Sequence, residues 1–190
     1  MKSLGILLLT SSLLLAGGCT TIVESVNKDP VTLDDNERTW GSWMDDQTIE
    51  TVASVNINKA APELKAARVK VISFNGIVLL IGQVPTQDLK DLASSTVNKI
   101  TKVRKVHNEL DVAEPIDLLV QSNDSWLTTK IKTALATSKE LNAEQIKVNT
   151  EKGAVYLMGL VSPQSARAAV DIARDTYGVQ KVVKVFEYTN

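Results

Sequence analysis

Only one cysteine, Cys19, and one histidine, His107, occur in the 190 residues. A single thiol leaves no internal disulfide, so any fold stands on its core. A single imidazole leaves no partner for a histidine-based metal site. A Ser-His-Asp centre would rest on His107, and no G-x-S-x-G turn accompanies it. His107 therefore reads as a sheet-face or edge residue. No phosphate loop and no dinucleotide fingerprint is present. The pairs Asp34-Asp35 and Asp45-Asp46 lack the alternating ligand spacing of a calcium loop and read as solvated or helix-capping acids. Lys and Arg number 21 against 22 Asp and Glu, and no segment is basic enough for nucleic acid. The apolar run from Leu4 to Leu15 would rise only about 18 Å as a helix, short of the roughly 30 Å of a bilayer core. These absences argue against an enzyme, with no catalytic residues, no metal, no cofactor and no small-molecule substrate.

What is present begins with that run. Lys2 precedes it, and the small residues Ala16, Gly17 and Gly18 follow, directly before Cys19. A positive start, a short apolar stretch and a small-residue cleavage zone make a signal peptide over residues 1–18. A cysteine at this place resembles the lipobox of bacterial lipoproteins. The resemblance implies a covalent diacylglycerol on the Cys19 thiol and an acyl group on its new amine. Three acyl chains exceed what stable anchoring needs. Thr20 stands where an Asp would resemble an inner-membrane retention signal, which points to the periplasmic face of the outer membrane. The tether, residues 19–45, is acidic: Lys28 and Arg38 stand against six Asp and Glu.

Beyond the tether the chain repeats itself. Val69 to Val84 and Ile146 to Val161 align without a gap at a spacing of 77 residues. Each copy reads as a strand, a tight turn and a second strand. Gly76 and Gly153 fit the positive φ of a hairpin turn of the primed kind. Gly82 and Gly159 inside the second strands mark a bulge or a close backbone approach. An amphipathic helix precedes each hairpin, with Ile49, Ala53 and Ile57 in one copy and Leu127, Ile131 and Leu135 in the other. A second helix follows, carrying Leu89, Leu92, Ala93, Val97 and Ile100, or Ala166, Ala169, Val170, Ala173 and Tyr177. Thr86 and Ser162 fit its N-caps, the latter before Pro163. Strands from Val106 to Val112 and from Val182 to Tyr188 close the copies. The fold class is α+β: two tandem αββαβ sandwich domains, each a three-stranded sheet packed on two helices. The first spans residues 46–114, the linker 115–123 and the second 124–190. Units this small gain from docking on one another.

The unit resembles the BON domain, on Arg38-Thr39-Trp40-Gly41-Ser42 leading to Asp45-Asp46, Gly76 to Gly82, Ser122 to Lys130 and Gly153 to Gly159. BON domains keep a Gly-Val before the last strand. Gly178-Val179 keeps it, and the first copy has Thr101-Lys102-Val103. The whole chain resembles dual-BON outer-membrane lipoproteins. That resemblance implies a non-enzymatic protein of envelope integrity at the division site, with anionic phospholipid as ligand of the second domain and outer-membrane assembly machinery as partner.

On a helical wheel from Ser125 to Thr137, Trp126 points roughly 140° away from the buried stripe. Thr129, Lys130, Thr133 and Thr137 lie around it. An exposed Trp beside a Lys suits a membrane interface. Two other readings stand: Trp126 packs on the first domain or on the apolar linker from Ile116 to Val120, or its face binds an envelope partner protein. Trp40 and Trp43 clamp the tether to the first domain or touch membrane. Gly41 argues against a helix there, and the surrounding acids favour the clamp.

Overall fold

The computed structural model describes residues 38–189. The signal peptide, Cys19, most of the tether and the pair Asp34-Asp35 lie outside the described residues. The elements in order are α1 (Trp40–Ala60), α2 (Pro62–Ala66), β1 (Arg68–Phe74), β2 (Ile77–Val84), α3 (Gln87–Asn98), β3 (Lys105–Val112), α4 (Leu118–Thr137), a 3₁₀ turn (Ala143–Gln145), β4 (Ile146–Glu151), β5 (Ala154–Val161), α5 (Pro163–Arg174) and β6 (Lys181–Tyr188). This is αββαβ twice, with the short α2 added to the first copy.

Local chemistry sets the element ends. Thr39 caps α1 by accepting from Ser42 N, Asp117 caps α4 by accepting from Val120 N, and Thr86 and Ser162 cap α3 and α5. Each cap satisfies an orphan donor of the first turn. The hairpin turns hold Asn75-Gly76 at φ 51° and 74°, and Lys152-Gly153 at 51° and 73°. Two successive positive φ values define the primed turn that matches strand twist. Inside the second strands, a Cβ on Gly82 would lie 1.9 Å from Arg68 O, and one on Gly159 2.3 Å from Gln145 O. Both glycines permit a close backbone approach.

Two three-stranded sheets result, β1-β2-β3 and β4-β5-β6. In each, the hairpin is antiparallel and the last strand returns parallel to the middle one. One face of each sheet carries its own helices. Val78, Leu80 and Val84 meet Ile49, Ala53, Ile57, Ala93 and Val97. Val155, Leu157 and Val161 meet Ile131, Leu135, Ala166, Ala169 and Ala173. The other faces meet each other: Ile72, Phe74, Ile77, Leu79 and Ile81 pack with Tyr156, Met158 and Val185. Both domains belong to one compact unit. The layers run helix, sheet, sheet, helix, and the repeat meets its own copy through equivalent faces. β2 is consequently buried along its whole length.

Three expectations need correction. Helix α4 begins at Leu118, seven residues before Ser125, so Leu118 to Val120 are helix rather than linker. Asp117 supplies the cap that starts it there. Helix α1 begins at Trp40 despite Gly41; in the first turn, beside a threonine cap, glycine costs little. Tyr177 lies beyond the end of α5 and is exposed, while Thr176 takes the buried place. Among the described residues, no helix is long and apolar enough to cross a membrane.

Candidate functional site

Helix α4 is held to its domain by a carboxylate. Asp124 accepts from Lys152 N and Gly153 N, both at 2.8 Å. In the first domain Asp46 accepts from Asn75 N at 2.7 Å and Gly76 N at 2.9 Å. Each buried Asp thus neutralises the turn of its own hairpin and fixes the helix over the sheet. Asp46 takes two further partners, Ser73 Oγ and Arg38 Nη2, each at 2.6 Å. Read as a solvated or capping acid in the sequence, Asp46 is instead fully buried. Ionised acceptors with backbone donors are strong, short hydrogen bonds. The sequence signal was available: in both copies an Asp stands three residues before the first apolar residue of the helical stripe, Ile49 or Leu127.

With Leu127, Ile131 and Leu135 buried, the opposite side of α4 faces outward. Trp126 is 53% exposed and is absent from the core between the sheets. Lys130 Nζ lies 4.8 Å from the centre of its indole, a cation–π contact one helical turn away. Thr129, Thr133 and Thr137 are exposed, and their hydroxyls turn inward. Thr129 donates to Ser125 O at 3.0 Å, Thr133 to Thr129 O at 3.0 Å and Thr137 to Thr133 O at 3.2 Å. With the hydroxyls bonded to the preceding turn, the methyl groups are what this face presents. The longer helix adds Leu118 and Leu119, 80% and 82% exposed, and Leu119 stands seven residues before Trp126 on the same stripe. Sequence reasoning missed both leucines because it placed them in a linker. The face is therefore more apolar than its composition suggests, with Lys130 and Lys132 at its side.

Trp40 and Trp43 are not clamped onto the first domain. Trp40 is 83% exposed, and the two rings touch edge to face with centroids 5.8 Å apart. They line a cleft of about 500 Å³ with Asn142, Glu144 and Gln145 of the second domain. His107 lies on the edge strand β3. Burial pushes its imidazole below the ordinary value, Lys105 adds to that and Glu109 opposes it. Among the described residues no His, Cys, Asp and Glu group is arranged to hold a metal ion.

Polar residues seal the rim between the sheets. Glu151, buried, is bound by Arg68 and by Gln83 Nε2 at 2.8 Å. Lys70 Nζ lies 3.1 Å from the other oxygen, an ion pair. Burial pushes the Glu151 carboxyl up, but Gln83, Arg68 and Lys70 together hold it below the ordinary value. Tyr156, also between the sheets, is pushed up to about 12 by burial and by Glu109, Asp111 and Glu151. Lys147 Nζ to Glu50 at 2.6 Å, Arg104 to Glu187 at 2.7 Å and Lys152 Nζ to Asp111 at 3.1 Å add to the rim.

The BON domain pattern matches residues 45–114 and 123–190. The chain belongs to the BON family. It is 38% identical to outer membrane lipoprotein DolP of Haemophilus influenzae over 99% of this chain and 96% of that protein. It is 40% identical to a 21 kDa hemolysin of Actinobacillus pleuropneumoniae over 80% of this chain and 78% of that one. The C-terminal domain of CdsD, a type III secretion structural protein of Chlamydia trachomatis, is 14% identical with a TM-score of 0.31, covering 72% of this chain and 96% of that one.

Each BON domain places one positive-φ residue before its last strand. In the second it is Gly178, φ 100°; in the first Lys102 takes φ 72°. The departure from Gly-Val in the first copy therefore keeps the left-handed residue and only changes its side chain. A Cβ on Gly178 would lie 3.1 Å from Leu127 Cδ2, so this loop of the second BON domain also supports the buried side of α4.

Proposed function

We propose that this two-BON outer-membrane lipoprotein is acylated on Cys19, sits on the periplasmic face of the outer membrane, and binds anionic phospholipid through the exposed face of α4. It works without catalysis, as a surface that chooses where on the membrane the protein resides, and so supports envelope integrity at the division site and beside outer-membrane assembly machinery. The observation that carries the reading is Trp126, half-exposed beside Lys130 on a helix face whose threonine hydroxyls are already bonded.

An indole and Leu119 on one stripe, with exposed Leu118 on its flank, offer the apolar area that an interface takes up. Burying a side chain of roughly 200 Å² contributes a few kcal/mol at about 25 cal/mol per Å². Lys130 and Lys132 each add about 1 kcal/mol near an anionic surface. The helix lies along the surface and does not cross it, as amphipathic interfacial helices do.

Flotation of the mature chain carrying Cys19→Ser with protein-free vesicles tests this. Binding is expected to vesicles containing anionic lipid, to be absent with purely zwitterionic lipid, and to fall with added salt because the lysines act through a screened field. Equal binding to both vesicle types defeats the lipid assignment. No binding to either leaves the Trp126 face to a protein partner. Intact mass of the membrane-extracted protein tests the anchor: an unmodified Cys19 in the mature chain sinks it.

A further inference from the structure

The cleft at the head of α1 carries different chemistry from the α4 face. Its walls come from the head of α1, just before the first BON domain, and from the second BON domain: Thr39, Trp40 and Trp43 on one side, Asn142, Glu144 and Gln145 on the other. The volume, about 500 Å³, falls within the range of small-ligand sites. The indole planes meet at 73°, so they form a corner rather than a stack. Trp40, at 83% exposure, is almost unsupported by the protein's own packing.

The charge inventory decides what the corner can take. The one cation in the wall, Arg38, is committed through Nη2, although its Nε is buried without a partner. Its guanidinium bonds Asp46 at 2.6 Å and stacks over Phe74 at 4.6 Å. Glu144 adds a negative charge. An anionic headgroup is therefore repelled here, whereas beside Trp126 it meets Lys130. A bare acyl chain would leave the amides and the carboxylate facing it without partners. A neutral polyhydroxylated ring satisfies both halves of the wall. Its C–H faces pack on indole, and its hydroxyls bond amide and carboxylate groups. Asn142 Oδ1 accepts Glu144 N at 3.1 Å, which fixes that side chain while its NH₂ remains a donor.

The walls are also held in place. Lys147, two residues after Gln145, pairs with Glu50 of α1 at 2.6 Å and bonds Ser73 O at 3.1 Å. The packed sheets fix both domains behind it. Holding the backbones behind both walls lowers the cost of binding, although the Trp40 ring itself is free to settle on the ligand.

We infer that the cleft between Trp40, Trp43, Asn142, Glu144 and Gln145 is a binding site for a neutral oligosaccharide. It is independent of the membrane face on α4.

The probe is a soluble, uncharged N-acetylglucosamine oligomer titrated into the mature chain carrying Cys19→Ser, without vesicles. A Trp126→Phe background confines tryptophan fluorescence to Trp40 and Trp43. A saturable change is expected at up to millimolar sugar. Trp40→Ala is expected to weaken binding, followed by saccharide-observed NMR, by ~tenfold, and Gln145→Ala by ~threefold. Because Trp40 packs against little, its thermal midpoint should stay where it is; Trp43→Ala provides a second variant on the same readout. No saturable response overturns the inference. So does sugar binding unchanged by Trp40→Ala. If Trp40→Ala leaves sugar aside but lowers vesicle flotation, the corner is a second membrane contact and the saccharide site is wrong.

Discussion

The two BON domains are nearly the same inside and different outside. Aligned on Asp46 and Asp124, Ile49, Ala53 and Ile57 coincide with Leu127, Ile131 and Leu135, and all six are buried. On the outward face Thr48 stands where the second domain has Trp126, and Val52 where it has Lys130. Thr51 matches Thr129, and both donate their hydroxyls to the preceding turn. The sheet beneath dictates the inner stripe of each helix and is indifferent to the outer one. A duplicated scaffold can therefore keep its core while one copy acquires an indole and a cation. The proposed function resides on the face that folding does not read.

The largest expected effect concerns the two carboxylates. Asp46→Ala frees two turn N–H groups, strands Ser73 and leaves Arg38 half-buried without its partner. It should cost about 3–5 kcal/mol, as breaking a buried charge pair does. Asp124→Ala removes only the turn contacts and should cost about 2–3 kcal/mol. Urea denaturation of both variants reads the difference, and equal losses would contradict the heavier role of Asp46.

Next comes the outer face. Trp126→Glu should weaken binding to anionic vesicles at least ~tenfold, equivalent to about 1.4 kcal/mol, with little change in thermal midpoint. Unfolding of that variant would mean that Trp126 is core. Adding Thr48→Trp with Val52→Lys to the Trp126→Glu chain moves the pair to the first domain. Partial recovery of vesicle binding is expected if the face alone suffices, and none if the second domain contributes something further.

The seam between the domains should respond to acid. The folded-state value of Glu151 is lowered from 4.5. Its contribution is therefore fully present above that pH and is lost as pH falls through the folded value. Tryptophan-detected melting should show a midpoint that declines below about pH 4.5. Glu151→Gln should flatten that decline, and an unchanged slope would relieve Glu151 of the role.

The smallest effect tests the loops. Lys102→Gly relieves a positive φ and loses an exposed ion pair with Asp45. A net gain of ~0.5 kcal/mol is expected. Gly178→Ala should cost about 1 kcal/mol or more, because strain adds to the contact with Leu127. Opposite signs in thermal melts are the result to look for.

Much of this was written in the chain. The 77-residue repeat is read by comparing the two copies; the Gly76 and Gly153 turns and the caps Thr86 and Ser162 are local rules. They depend on neighbours within a few residues, so periodicity and turn chemistry suffice to read them. The outward direction of Trp126 was also legible, since helical geometry sets it once the apolar stripe is known. What covers the second face of each sheet was not. β2 is buried on both sides, so Ile77 to Ile81 form a continuous apolar run without the alternation that would name an inside and an outside. Only the meeting of Ile77, Leu79 and Ile81 with Tyr156 and Met158 distinguishes the faces. Asp46 and Asp124 stand between: their place three residues before Ile49 and Leu127 recurs in both copies, but the turn N–H groups they bind lie about thirty residues away and only the fold brings them together. Trp40 and Trp43 meet within α1, but the cleft they share with Asn142, Glu144 and Gln145 exists because two domains dock. Short-range chemistry was decided by the sequence itself; every feature that joins distant segments waited for the tertiary structure, because burial is a property of what lies opposite.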